Sequence, residues 1–260
     1  MTASTAVPNE PARDGGRDLS PVSNDEGSAF EGFEPDEGAI ESALEVRRIL
    51  SVTEISLGAK LIMAHSHQPT EDLALYYILF AIGARPLEIA RLEVQDYLEA
   101  SGDVSRISFI RPEVAINGRT RPLYFLSARL DEVMADYLGN RGRRGDRIGG
   151  DSYYRGLDPR CPLFLSPSGQ GFAITSYEEK GQRRFLCRGI QEAYRKLLRY
   201  AGFSGLTALA ARQTLADRLY SRGADEAQVG LLLGIADRSA VRERFPRRQP
   251  TLEELTKDLI

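Results

Sequence analysis

The sequence predicts a mainly α-helical fold with one small antiparallel β-sheet, an α+β chain of 260 residues. Three observations predict it. Apolar residues recur at helical spacing through most of the chain after residue 50. Between residues 104 and 126 the spacing changes to alternation about Asn117-Gly118, a dipeptide that favours hairpin turns. Glycine and proline divide the helical stretches at Gly83, Pro86, Gly202, Gly223 and Gly234. A hydrophobic content of 42% supplies a core for one large domain or two small ones.

Charge is unevenly distributed. Residues 1–45 carry 11 acidic and 2 basic side chains, whereas residues 46–260 carry 26 acidic and 32 basic ones. An acidic segment ahead of a basic body is a pattern found in partners of nucleic acid, and equally the solvated surface of an arginine-rich protein. No apolar run approaches the roughly 18 residues of a membrane span. The absence of an apolar N-terminal region predicts a cytoplasmic chain without a secretory signal. Cys161 and Cys187 are too few for a disulfide framework and read as structural thiols.

In chain order, residues 1–37 are rich in Gly, Pro, Ser, Asp and Glu and predict an acidic disordered tail. The tail reads as a solubilising segment, or as one that competes with DNA for the basic body. Residues 38–48 predict a short helix, and Thr53 is a candidate cap for a second helix through Ile55, Leu57, Leu61 and Ile62. His65 and His67 read as loop histidines, since no nearby Cys or third His completes a metal site. Pro69 opens a helix so apolar, from Leu73 to Ile82, that burial on several sides is expected before it stops at Gly83. Pro86 fits the first turn of the next helix, and Asp96 follows in a loop.

Residues 104–126 predict two or three strands, 127–141 an amphipathic helix, and 142–160 a mobile basic loop. Pro162 to Ser166 predicts a brief extended segment with a turn after it. Residues 178–200 predict one long basic helix with a buried stripe of Ile190, Ala193, Tyr194, Leu197 and Leu198. Amphipathic helices follow on either side of Gly223, with Leu215, Leu219 and Tyr220 reading as core. Residues 251–260 predict a C-terminal amphipathic helix, beyond a main domain of residues 38–250.

Certain residues occur in a telling order: Gly83, Arg85, Glu88, Leu92 and Asp96; then Leu163-Phe164; then Arg212-Gln213-Thr214; then Leu233-Gly234. Over residues 50–250 this order resembles the catalytic domain of the tyrosine recombinase (phage integrase) family. The family's separate arm-shaped DNA-binding domain has no counterpart, because residues 1–49 are too few and too polar. The resemblance implies a tyrosine-recombinase-like catalytic-domain fold with double-stranded DNA as partner and no metal or other cofactor. In the family a Tyr attacks a phosphodiester, two Arg neutralise the phosphate oxygens, a Lys or His protonates the leaving oxygen, and a His handles the Tyr proton.

Placed on this sequence, the two arginines correspond to Arg85 and Arg212. Leu209 stands where the first His is expected, Ile235 where the second is, and Phe245 near the Tyr position. No Lys occurs between Lys60 and Lys180, where the sheet lysine is expected. Arg119 or Arg121 places a cation near the hairpin tip, but a guanidinium is a poor proton donor because its pKa lies above about 12. Tyr220 as a relocated nucleophile conflicts with its place in an apolar stripe.

The reading that follows is a recombinase-like protein that holds DNA without cleaving it, as a regulator or an accessory factor in DNA recombination or on a mobile element, associated with the nucleoid. Its candidate DNA contacts are Arg85, Arg212, Arg119, Arg121, Arg183, Arg184, Arg188, Arg238 and Arg242. The alternatives are an interaction module that docks on active recombinases or on itself through residues 251–260, an active recombinase with relocated residues, and a helix-turn-helix regulator over residues 224–245. Arg85 also reads as a structural partner of Glu88 or Asp96.

Overall fold

The computed structural model describes residues 48–143, 153–248 and 251–256. The expected acidic tail, residues 38–47 of the helix expected over 38–48, residues 144–152 of the expected 142–160 loop and the end of the C-terminal helix lie outside the described residues.

The first helix, α1 (Val52–His65), starts two residues earlier than a Thr53 cap would place it. Ser51 is its cap: the Glu54 amide donates to the Ser51 hydroxyl at 3.1 Å, and the Ser51 amide donates to the Glu54 carboxylate at 2.8 Å. Ser51 and Glu54 thus form the reciprocal S-x-x-E box, which satisfies two helix-end donors where Thr53 alone would satisfy one. His65 is the last helical residue rather than a loop residue.

Helix α2 (Pro69–Ile82) is the axis of the fold. Ten of its fourteen residues are buried, as its unbroken apolarity predicts. It packs against α1, α5 (Ala128–Arg143), α6 (Arg188–Tyr200) and α7 (Ala208–Ser221). Its one buried acid, Asp72, pairs with Lys196 of α6 at 2.9 Å. Gly83 ends α2 in the left-handed region with φ 66°, and a Cβ there would come within 2.8 Å of Leu215 and 2.9 Å of Leu233. The close approach fixes the chain that follows Gly83 against the C-terminal helices.

That chain enters α3 (Pro86–Arg91), with Pro86 in its first turn, and then α4 (Val94–Tyr97). Asp96 is therefore helical, not in a loop. Its carboxylate accepts the Glu93 amide at 2.8 Å and so holds the start of α4. The predicted sheet is a single antiparallel pair, β1 (Ile107–Ile110) with β2 (Arg121–Tyr124), Ile107 opposite Tyr124. Asn117-Gly118 sits in a connection spanning 111–120 rather than in a two-residue turn.

The largest departure concerns residues 178–200. A second hairpin, β3 (Thr175–Glu179) and β4 (Gln182–Leu186), occupies the first part, and only α6 is helical. Lys180 and Gly181 take φ 53° and 76°, the pair of positive values that a two-residue type I′ turn needs. A Lys-Gly turn between Tyr177 and Phe185 is a hairpin signal that the run of basic residues obscures. The stripe expected of α6 is present: Ile190, Tyr194, Leu197 and Leu198 are buried, and Ala193 packs at its edge.

Most apolar side chains form one cluster around α2. A smaller one joins α7, α8 (Glu226–Leu233) and α9 (Arg238–Arg244) through Ala216, Tyr220, Val229, Leu233, Val241 and Phe245. Thr214 ties α7 to the first segment: the Leu50 amide donates to its hydroxyl at 3.1 Å, and that hydroxyl donates to the Ala210 carbonyl at 2.8 Å. A short α10 (Leu252–Thr256) follows, with Leu252 exposed. No helix among the described residues is long and apolar enough to cross a membrane.

Gly83→Ala combines a left-handed backbone with a steric overlap, so it is expected to destabilise the chain by about 1–3 kcal/mol. The midpoint of urea unfolding measures it; an unchanged midpoint would show that Leu215 and Leu233 yield freely.

Candidate nucleic-acid interface

The site is built around the C-terminal end of α8. The last carbonyls of a helix lack partners within it and carry partial negative charge. Here three side chains from three elements cap them. The Arg121 Nε of β2 donates to the Leu232 carbonyl at 3.0 Å. The Arg212 Nη2 of α7 donates to the Leu233 carbonyl at 2.8 Å. The Asn117 amide of the β1–β2 connection donates to the Gly234 carbonyl at 3.1 Å.

Behind this end lies a buried ion pair. The Arg121 guanidinium meets the Glu88 carboxylate with two hydrogen bonds, of 2.9 and 2.7 Å. Both residues are buried, and Glu88 also accepts the Arg85 amide at 2.8 Å and the Ile116 amide at 3.4 Å. Burial by itself would raise the pKa of Glu88. The charge and hydrogen bonds of Arg121, with those of Arg85, outweigh it and hold the carboxyl below its ordinary value.

Arg121 is therefore no surface cation, contrary to the expectation that it contacts DNA: its guanidinium is enclosed between Glu88 and α8. Arg85 approaches Glu88 only loosely, at 4.0 Å, and keeps 12% of its side chain exposed. Asp96, the other partner expected for Arg85, is bound instead by Arg111 at 2.8 Å. Sequence spacing carries no sign of either exchange, because Arg111 and Arg121 reach these acids across the sheet.

Arg212 is buried, with its guanidinium carbon 5.4 Å from the centre of the Phe245 ring. Phe245 follows α9 and is buried in the smaller apolar cluster, where Leu209 and Ile235 also pack in part. The structure thus brings Arg212, Leu209, Ile235 and Phe245 to one place, where α7, α8 and α9 meet. Tyr220 is buried in the same cluster. The Asn117 bond sets the β1–β2 connection beside the α8–α9 junction, which places exposed Arg119 and Arg238 near it. Arg242 lies on the exposed side of α9, 3.7 Å from Glu226. Arg183, Arg184 and Arg188 belong elsewhere: Arg183 and Arg184 are on β4, the latter paired with Glu179 at 2.9 Å, and Arg188 opens α6.

This geometry ties Arg121 and Arg212 to the carbonyl end of α8 and so fixes both guanidiniums. Among the described residues no group of three or more His, Cys, Asp or Glu side chains is arranged to hold a metal ion. Cys161 and Cys187 are both free thiols.

No protein-family model and no curated protein matches this sequence. Solved structures do. XerA recombinase superposes over 80% of this chain and 62% of its own, with a TM-score of 0.53 and 19% identity. The fold is that of a tyrosine-recombinase catalytic domain. XerH site-specific recombinase, bound to its palindromic difH substrate after cleavage, covers 77% of this chain and 50% of its own, at TM-score 0.51 and 15% identity. The Tn1549 transposon integrase, in complex with circular intermediate DNA, covers 85% and 67%, at 0.54 and 14%. The chain spans about half to two thirds of the length of these recombinase-fold structures.

Glu88→Gln leaves Arg121 as a buried cation without its counter-charge, and is expected to cost about 3–5 kcal/mol in chemical denaturation. The pH dependence has a definite sign. Because the folded-state pKa of Glu88 is depressed, its contribution is complete above the unfolded value near 4.3 and is lost as pH falls through the folded value. The native chain should therefore lose stability below about pH 4.3 more steeply than Glu88→Gln, and parallel curves would refute the assignment.

Proposed function

We propose that this chain holds double-stranded DNA without cleaving it, as an accessory or regulatory protein in DNA recombination. The observation that carries this reading is the company of Arg212. Its guanidinium lies over Phe245, with Leu209 and Ile235 in the same cluster. A phosphate-binding cation is retained, while groups able to give or take a proton are replaced by hydrocarbon. Arginine stabilises charge on a phosphate but does not donate protons near neutrality. Tyr220 offers no substitute, since its ring is enclosed by α7, α8 and α9. The DNA-bound states of XerH and the Tn1549 integrase support the choice of partner.

In this reading Arg85 and Arg212 face the phosphate backbone at the α8–α9 junction. Exposed Arg119 and Arg238 flank them, and Arg242 lies one turn beyond Arg238. Affinity is then mainly electrostatic and falls with salt. Fluorescence anisotropy against duplex DNA should show binding at low salt whose logarithm falls linearly with the logarithm of salt concentration. Arg119→Ala and Arg238→Ala should each weaken it and lower that slope by about 1. Absence of binding to any duplex at low salt would end this reading. A nicked suicide duplex should trap no covalent adduct with the native chain or with Phe245→Tyr, because a restored hydroxyl still lacks a base and an acid. An adduct in the native chain would establish an active enzyme.

A second reading is favoured by Leu252, whose side chain opens α10 at 80% exposure. Here residues 251–260 dock on a second copy or on an active recombinase. Sedimentation of the full chain against a truncation after Gln249 tests self-docking, and identical monomers would argue against it.

A further inference from the structure

A second basic cleft, of about 570 Å³, opens beside the β3–β4 hairpin. Its volume lies within the range of small-molecule sites. Arg91, Arg111, Arg160 and Arg183 line it. Arg111 is ion-paired to Glu93, Asp96 and Glu113 at 2.8–2.9 Å, and Glu93 and Glu113 also line the cleft, so its unpaired positive charge comes from the other arginines. The other three have no carboxylate partner among the described residues. Arg91 donates only to the carbonyls of Glu113 and Val114, at 3.4 and 3.3 Å. Arg183 reaches only the Ser176 hydroxyl, at 3.4 Å. Arg160 is exposed.

These cations converge because an aromatic ring lies among them. The Phe185 ring centre is 4.6 Å from the Arg91 guanidinium carbon and 5.5 Å from that of Arg183. The π-face attracts both and partly offsets their repulsion. Burial nevertheless pulls the pKa of Arg91 below its ordinary value, by more than the nearby Glu88 carboxylate raises it. Pro162, Phe172 and Ile174 give the cleft an apolar stretch as well. One wall thus suits an anion and the other a flat, weakly polar body.

We propose that this cleft binds a nucleotide unit, with its phosphate on Arg91, Arg160 and Arg183 and its base against Pro162, Phe172 and Ile174. Guanidinium planes and aromatic rings accept any base by stacking, so the site discriminates little among bases. The unit is either a free nucleotide or the 5′-phosphorylated end of a single strand. Arg85 and Arg91 mark the two ends of α3, roughly 9 Å apart along the helix. None of the residues lining the cleft belongs to the α8–α9 junction, so its occupancy does not depend on the duplex reading.

Isothermal titration of the full chain at low salt, with AMP, adenosine, inorganic phosphate and 5′-phosphorylated pentathymidylate, tests this. AMP should bind at one site at least about tenfold more tightly than phosphate or adenosine, since both walls contribute. Arg160→Glu should weaken AMP by at least about tenfold; this side chain makes no hydrogen bond or ion pair among the described residues, so the fold should survive, as thermal unfolding will show. Tighter binding of the pentanucleotide than of AMP identifies a strand end as the ligand, and the reverse identifies a free nucleotide. AMP binding no tighter than phosphate, an Arg160→Glu variant that binds as the native chain does, or no saturable binding of either nucleotide probe would each overturn the proposal.

Discussion

The buried pair of Glu88 and Arg121 is the contact on which the rest of the arrangement depends. Taking both charges out of water is costly, and their attraction offsets that cost only when geometry and hydrogen bonding are nearly complete. Here they are: two bonds join the pair, two backbone amides complete Glu88, and Arg121 turns its Nε to α8. The pair thereby joins α3, the sheet and α8. A shift in any of them would leave a buried charge unmatched, so the pair specifies position more than it adds stability. Gly83 supports the same fit from the apolar side by admitting Leu215 and Leu233 against the backbone.

The C-terminal end of α8 gives the site its electrostatic character. Its carbonyls draw cations, and Arg121 and Arg212 each donate to one of them. Arg212 is held in place whether or not a phosphate is present. Such preorganisation suits transition-state stabilisation in an enzyme and equally suits holding a phosphate. The recombinase fold does not decide between these uses; the proposal of a non-cleaving role rests on the neighbours of Arg212, which are Leu209, Ile235 and Phe245. Around this guanidinium the apolar side chains fill space and close a small core.

Much of the architecture was legible in the sequence because it depends on short-range patterns. The apolar run of α2, its stop at Gly83, Pro86 at the next helix start and the stripe of α6 all follow from local spacing. The β3–β4 hairpin was not legible, because its basic residues continue smoothly into α6 and Lys180-Gly181 reads equally as a weak point in a helix. Asp96 was misplaced for a related reason: α4 is only four residues long and is held by its caps rather than by an apolar face. Arg85, Arg119 and Arg121 stood alike as basic residues. Only pairing through space separates a mostly buried Arg85 and an exposed Arg119 from an enclosed Arg121.

By itself the sequence determined the helices around α2 and the first hairpin, the unequal charge of its two parts, and the absence of His and Tyr from its last forty residues. Those properties are fixed by residue identity and by contacts a few positions apart. Tertiary structure alone decided which arginines are enclosed and which face solvent. It also placed Phe245 beneath Arg212 and gathered Arg91, Arg160 and Arg183 around one cleft. The physical reason is range: a charge finds its counter-charge through space, and Arg121 meets Glu88 33 positions away in the chain.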